Sequence, residues 1–310
     1  MGKNVLLLVN PLAGKGQIRS KLMEVVDLFT KAGWEVTVYP TQKTKDGMRF
    51  VEANAHRFDR IICAGGDGTL NETVNGLLNA GVSCPIGYIP AGTTNDFATT
   101  LGLPVSPVQA ARHIINGLPQ PCDIGRFNGR YFVYSAAFGA FSDVPYITPQ
   151  RTKNILGHTA YILQGIERLS YLKPYHLVFE HNGKIIEDDF IFGMVSNSDY
   201  VGGFKGLAGM PVFIDDGEFE VILVKMPQNG AELQSIILAL LRHDTSVPEM
   251  YAFRANKLVM RSETPVSWTL DGEFGGAVTE AEIEIFPHAI SLLLEESEEK
   301  ENRILSKKRN

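Results

Sequence analysis

The rhythm of apolar and polar positions changes partway along the chain. Up to residue 125, short apolar runs alternate with stretches whose apolar residues recur at helical spacing. NVLLLVN (4–10) predicts a buried strand. IRSKLMEVVDLFTKAG (18–33) puts Leu22, Val25, Val26 and Phe29 on one face and predicts a helix that stops at Gly33. WEVTVYP (34–40) and DRIICAGG (59–66) predict strands, and PIGYIPAGT (85–93) a strand with a loop. Helices are predicted over 46–58, 70–81 and 107–119, the second with Thr69 as its N-cap three residues before Glu72. Such alternation predicts a parallel sheet covered by helices.

Beyond residue 125 the pattern shortens. Asn128-Gly129 and Asn182-Gly183 each lie between apolar runs, the strongest short-range signal for a hairpin. IDDGEFEVILVKM, KLVMRSE, VSWTLDGEFG and AEIEIFPH continue the series of short strands. The fold class read from this pattern is α/β: an N-terminal parallel-sheet domain, then a mostly antiparallel β-sandwich. Two helices interrupt the strands, over 152–172 and 230–242. On the first, Ile155, Ile162, Ile166 and Leu169 share a face, with Lys153, Arg168 and Lys173 among them. That face suits either the covering of the sandwich, the favoured reading, or a membrane interface. The charged residues 299–310 form a tail.

Composition narrows the function classes. The 310 residues are 44% hydrophobic and 21% charged, as in ordinary two-domain globular chains, and carry a formal net charge of −6. That balance argues against nucleic acid as a main partner. Cys63, Cys84 and Cys122 are odd in number and lack metal-ligand spacing, which predicts a reducing compartment. The opening MGKNVLLLVNP is too short an apolar run for a signal peptide, and no stretch approaches a membrane span. The expected location is the cytoplasm, with any membrane met from its surface.

The stretch ICAGGDGTLNETVNG (62–76) raises the chemical question. Glycines between a buried strand and a helix are either a turn or a phosphate cradle, where backbone N–H groups and the helix dipole face an anion. Asp67 beside phosphates requires a cation, and Mg²⁺ is the expected one. NPLAGKG (10–16) and PAGTTNDFA (90–98) follow other strands of the same predicted sheet, along the edge where open α/β sheets bind ligands. Neither matches a standard nucleotide fingerprint. In the second, Asn95 and Asp96 also suit a helix cap. Three such loops on one edge favour a nucleotide.

Together GGDGTLNE, PAGTTNDFA and NPLAGKG resemble the bacterial diacylglycerol kinase family of soluble lipid kinases, relatives of sphingosine and ceramide kinases. CDIGRFNGRYFVYSAAFG, TPQRTKNILGHTAYILQGI, IDDGEFEVILV and LDGEFGG extend the likeness to about residue 290 in the family's order. The resemblance implies an ATP site between a nucleotide-binding domain (1–125, with 286–298 returning to it) and a lipid-substrate sandwich (126–285). It implies that Asn10, Pro11, Leu12, Ala13, Gly14, Thr41, Gly66, Asp67, Gly68, Thr69, Leu70, Asn71, Glu72 and Thr93 line the nucleotide. Asp271 would be the general base, with Glu273 and Asp67 in a Mg²⁺–water network. Asp216, with the backbone carbonyls of Phe213 and Glu218, would hold a structural Mg²⁺. GLAGMPVFIDDG departs from the family pattern, with an extra residue and Phe213 where a polar residue is usual.

The implied reaction is transfer of the ATP γ-phosphate to a lipid hydroxyl, diacylglycerol first among them. The expected partners are ATP, a lipid at the membrane surface and a second copy of the chain. Two alternatives stand beside it. An NAD kinase explains Gly-Gly-Asp-Gly-Thr but not the Asn-Asp-Phe block. A non-catalytic lipid- or nucleotide-binding protein would keep the loops without needing Asp271. VSWTLDGEFGG also reads as a hairpin turn; Asp271→Asn is expected to leave the melting temperature nearly unchanged on either reading, with turnover separating the two.

Overall fold

The computed structural model describes residues 3–14, 16–139, 173–202, 204–205 and 210–295. The helix predicted over 152–172 and the charged tail lie outside them. The chain divides into two compact units, residues 1–123 with 288–310, and residues 124–287.

The first unit holds β1 (Lys3–Val9), α1 (Gln17–Lys31), β2 (Trp34–Pro40), α2 (Asp46–Asn54), a 3-10 turn (Ala55–Arg57), β3 (Arg60–Gly65), α3 (Asp67–Ala80), β4 (Ile86–Pro90), α4 (Asp96–Thr100) and α5 (Pro107–Asn116). The strands are parallel in the order β2-β1-β3-β4, with Val5 opposite both Val36 and Arg60 and Cys63 opposite Tyr88. The near-continuous apolar runs of β1, β3 and β4 are buried throughout, as strands covered on both faces require. Val5, Leu7 and Val9 share one core cluster with Ile18, Val25 and Phe29 of α1 and Ile114 of α5. α2 and α3 approach so closely that a side chain on Gly76 would meet the Met48 carbonyl. The helix predicted over 46–58 ends at Asn54 and tightens into the 3-10 turn.

β5 (Leu118–Phe127) carries the chain into the second unit. There follow β6 (Arg130–Phe132), β7 (Ser135–Gly139), β8 (Tyr175–His181), β9 (Lys184–Ser196), β10 (Tyr200–Val201), β11 (Phe204–Lys205), β12 (Phe219–Lys225), α6 (Gly230–Arg242), β13 (Met250–Ala255), β14 (Lys257–Leu270) and β15 (Glu273–Leu294). β7 and β8 each pair antiparallel with both β9 and β14, while β12 joins β9 to β13. The inward faces meet in an aromatic core around Phe138, Phe179, Phe190, Phe219 and Trp268. On the opposite face, Met194, Ile222 and Val224 pack with Ile236 and Ala239 of α6. The last residues of β15 return to the first unit, where Leu292 pairs parallel with Ile86.

Asn128-Gly129, Asn182-Gly183 and Asp271-Gly272 all have positive φ at both residues, the signature of type I′ hairpins. The hairpin signals therefore act as the local sequence predicts.

Candidate active site

Three loops meet at the C-terminal edge of the parallel sheet. Asn10, the residue after β1, donates its N–H to the Ala64 carbonyl at 2.9 Å. Its side chain accepts the Leu12 N–H at 3.0 Å and donates to Thr69 Oγ1 at 3.2 Å. Gly14, at φ +52°, lies so close to the Ala91 carbonyl that any Cβ would collide with it. The Ala91 N–H in turn donates to the Gly65 carbonyl at 2.7 Å. A Cβ on Gly92 would sit 2.6 Å from the Gly66 Cα, so two backbones touch where side chains would part them. Asn95 closes its own loop, accepting the Gly92 N–H at 2.9 Å and donating to the Gly92 carbonyl at 3.0 Å. Asn95 adopts the left-handed conformation and makes no side-chain cap on α4.

The structure corrects the start of α3. Thr69 is not the N-cap: the helix begins at Asp67, and Gly66 precedes it in an extended conformation at φ −91°. Thr69 instead lies inside the helix, its N–H bonded to the Gly66 carbonyl and its hydroxyl taken by Asn10. Because Gly66 offers no side-chain oxygen, α3 starts without a side-chain cap. Such a terminus, with its positive dipole end, favours a bound anion. Gly66 is glycine because Gly92 lies against it, not because its φ demands one.

Glu72 lies on α3 but serves α2. Its carboxylate accepts the Lys45 N–H at 2.6 Å and the Gly47 N–H at 3.1 Å, satisfying donors at the start of that helix. Thr41, whose N–H bonds the Val9 carbonyl at 2.8 Å, borders the same spot: a Cβ on Gly47 would touch both Glu72 and Thr41. Of the remaining residues expected along the nucleotide, Leu70 is fully buried and Ala13 is buried. Leu12 (82% exposed) and Thr93 stand on the rim, and Pro11, Gly68 and Asn71 are half-buried.

Negative charge gathers beside this edge. Asp67 Oδ2 accepts the Asp96 N–H at 3.2 Å, and Asp96 itself is buried. The phenol of Tyr88 is pushed well above its usual range by burial, reinforced by Asp67 and by Cys63. Burial likewise pushes the Cys63 thiol up to about 12, with Glu72 and Asp67 adding to the effect. Tyr88 does not stand out in sequence, because a tyrosine in an apolar strand reads as core. Asp123 is also buried, its Oδ1 accepting the His288 N–H at 2.7 Å. Among the described residues, no three or more His, Cys, Asp or Glu side chains converge to hold a metal ion. A Mg²⁺ here would take one or two carboxylates and complete its shell with phosphate and water oxygens, which is its usual habit.

In the second unit, Asp271 is the first residue of the β14–β15 turn, at φ +49°, and is 6% exposed. Its Oδ2 accepts the Val133 N–H at 2.7 Å, and its Oδ1 accepts those of Tyr134 and Ser135 at 2.9 and 3.1 Å. The Asp271 N–H donates to the Ser135 carbonyl at 2.8 Å. Both oxygens are thus oriented by backbone from another strand connection. Glu273 follows the turn and is exposed. Asp216 Oδ1 accepts the Glu218 N–H at 3.2 Å, folding the loop ahead of β12 back on itself. Phe213 and Glu218 offer carbonyl oxygens and Asp216 a carboxylate, donor types that suit Mg²⁺.

A parallel sheet with three touching loops at its C-terminal edge, followed in the chain by an antiparallel sandwich, defines an α/β protein of the kind that binds ligands along that edge. Residues 4–127 match the diacylglycerol kinase catalytic domain, and residues 139–294 match the YegS C-terminal NAD kinase beta sandwich-like domain. A diacylglycerol kinase from Bacillus subtilis is 33% identical over 288 residues, spanning 92% of this chain and 95% of that protein. One from Staphylococcus aureus is 35% identical, over 89% of this chain and 88% of its own. A crystal structure of a candidate diacylglycerol kinase from Bacillus anthracis superposes with a TM-score of 0.79 at 27% identity, covering 94% of this chain and 97% of that one. The chain belongs to the diacylglycerol kinase family, and it is a lipid kinase that uses ATP. The kinship with NAD kinases read from Gly-Gly-Asp-Gly-Thr returns in the description of its sandwich. No helix among the described residues is long and apolar enough to cross a membrane.

Proposed function

We propose that the chain transfers the γ-phosphate of ATP to the free hydroxyl of diacylglycerol, giving phosphatidic acid, with Mg²⁺ as cofactor. The observation that carries this reading is the junction of Gly14, Gly66 and Gly92 at the uncapped start of α3. Backbone that close, with no side chain between, can cradle phosphates while the helix dipole offsets their charge. Residues 1–125 with 286–298 form the nucleotide-binding domain on this reading, and 126–285 the lipid-substrate domain. Asn10 to Gly14, Thr41, Gly66 to Glu72 and Thr93 border the nucleotide, several through backbone alone. Glu72 contributes by fixing the chain from Lys45 to Gly47, on the reading its two hydrogen bonds support best.

Asp67 and Glu273 would serve the water shell of a Mg²⁺, which would supply charge neutralisation for the transferring phosphoryl group. Asp271 accepts the proton of the lipid hydroxyl at its carboxylate as the lipid oxygen bonds to the γ-phosphorus and the bond from that phosphorus to the β–γ bridging oxygen breaks, releasing ADP. The three N–H groups on that carboxylate keep it in one orientation, which favours positioned proton transfer. Asp216, Phe213 and Glu218 would hold a second, structural Mg²⁺. The lipid is met at the membrane surface, and two copies of the chain associate.

Phosphorylation of dioleoylglycerol, sphingosine, ceramide and NAD, each with labelled ATP and with or without Mg²⁺, tests the proposal. The expected product is labelled phosphatidic acid, dependent on Mg²⁺. Label in another acceptor with none in dioleoylglycerol would replace the substrate named here, and ATP binding without transfer to any acceptor would favour the non-catalytic reading.

A further inference from the structure

The loop carrying Phe213, Asp216 and Glu218 is fastened from outside by one side chain. Arg254 lies on β13 directly opposite Glu220 of β12. Its Nε is 3.4 Å from Oε1 of Glu220, which is completely buried. Its Nη2 donates to the carbonyl of Pro211. The guanidinium also stands over the Phe213 ring, 5.5 Å from the centroid. A single planar group therefore touches a buried carboxylate, a loop carbonyl and a loop ring.

Making all three contacts at once uses a property lysine lacks. Guanidinium presents donors in a fixed fork and stacks on aromatic faces, whereas an ammonium is a compact point charge. The Asp216–Glu218 bond closes the second half of the loop locally. Arg254 ties the first half, at Pro211 and Phe213, to the sheet. Aromatic Phe213 then has a function that a polar residue could not give it: its ring is held while its carbonyl remains a ligand.

We propose that Arg254 is a positioning residue that fixes the 213–218 loop for binding a divalent cation. This rests on the reading of Asp216, Phe213 and Glu218 as a cation site, and the experiment separates the two. Mn²⁺ and Mg²⁺ are titrated calorimetrically into the full chain without nucleotide, for the parent, Asp216→Ala, Arg254→Met, Arg254→Lys and Phe213→Leu. The parent is expected to bind one ion that Asp216→Ala loses. Arg254→Met should weaken that ion about tenfold or more, and Arg254→Lys and Phe213→Leu several-fold, all with the KM for ATP unchanged. A merely structural arginine would lower the melting temperature without this split between cation affinity and ATP. If Asp216→Ala loses the ion while the Arg254 and Phe213 variants bind as the parent does, the positioning role is overturned and the cation site stands. If Asp216→Ala binds as the parent does, the cation site itself falls and the proposal with it. Should Arg254→Met fail to fold, Arg254→Lys and Phe213→Leu decide: parent-like affinity in both overturns the role.

Discussion

Asp271 unites two demands on one side chain, and only one of them is visible in its neighbourhood. Asp-Gly between strands announces the turn, and by turn geometry alone asparagine is an adequate replacement. The three N–H groups converging on its carboxylate come from Val133 to Ser135, far earlier in the chain. An amide nitrogen cannot accept any of them. Asp271→Asn should therefore cost about 1–3 kcal/mol in stability, since one or two buried donors lose their acceptor. It should also lower turnover on the order of 10² to 10⁴ if Asp271 is the base. Denaturant melts and initial rates, taken well below both transitions, check the two parts. Rates within a few-fold of the parent would move the base elsewhere, with Glu273 the first to test. Asp67, whose Oδ2 accepts the Asp96 N–H, tests the cation reading. Asp67→Ala should abolish Mg²⁺-dependent turnover with a parent-like circular dichroism spectrum, and a folded variant with near-normal turnover would remove Asp67 from the mechanism.

At the scale of elements, local chemistry was legible wherever the partner was local. Asn-Gly and Asp-Gly fixed three hairpins because positive φ is settled within two residues. The start of α3 was misread for the same reason in reverse. Thr69 and Glu72 have capping-box spacing, but each is claimed by a distant group: Thr69 by Asn10, Glu72 by Lys45 and Gly47. The resemblance pointed to the loops; what lies outside any window is which backbones touch. Glu72→Ala should thus loosen α2, costing about 1–3 kcal/mol for lost charge-assisted bonds. Hydrogen exchange should rise at Lys45 and Gly47 before it rises in α3, and unchanged protection there would return Glu72 to a direct nucleotide role. The hairpins offer a graded comparison. Asn182 only has to adopt positive φ, so alanine should cost about 1–2 kcal/mol. Asn128 also donates to the Glu280 carbonyl at 2.9 Å and accepts the Glu282 N–H at 2.8 Å. Asn128→Ala should exceed Asn182→Ala by about 1 kcal/mol or more in denaturant melts, and equal costs would show that the turn alone sets the value.

For the whole molecule, the decisive feature is that the first unit is discontinuous in sequence. The apolar run in FPHAISLLLEE is readable as a strand, but periodicity does not say which sheet receives it. In the structure it lies beside β4, with Leu292 opposite Ile86. Ile290, Leu292, Leu293 and Leu294 are each at most 4% exposed. The end of the strand is held at α5, where Glu295 accepts from Asn116 at 2.8 Å and donates its N–H to His113 Nε2 at 3.2 Å. Each buried aliphatic side chain contributes about 1.5–3 kcal/mol, so losing four removes about 6 kcal/mol or more. That is comparable with the whole stability of a typical domain, about 5–15 kcal/mol. A chain ending at Pro287 should therefore fail to form the first unit, although every nucleotide-loop motif is still present. The cysteines provide the readout, since Cys63, Cys84 and Cys122 all lie in that unit and all are buried. Burial also pushes Cys63 and Cys84 up to about 12, so almost no thiolate is present at pH 8. The full chain should resist a disulfide-exchange reagent at that pH until denaturant is added. The truncated chain should react rapidly at all three thiols and bind no ATP. Protected thiols in the truncated chain would mean that β1 to β4 form a stable sheet without their closing strand.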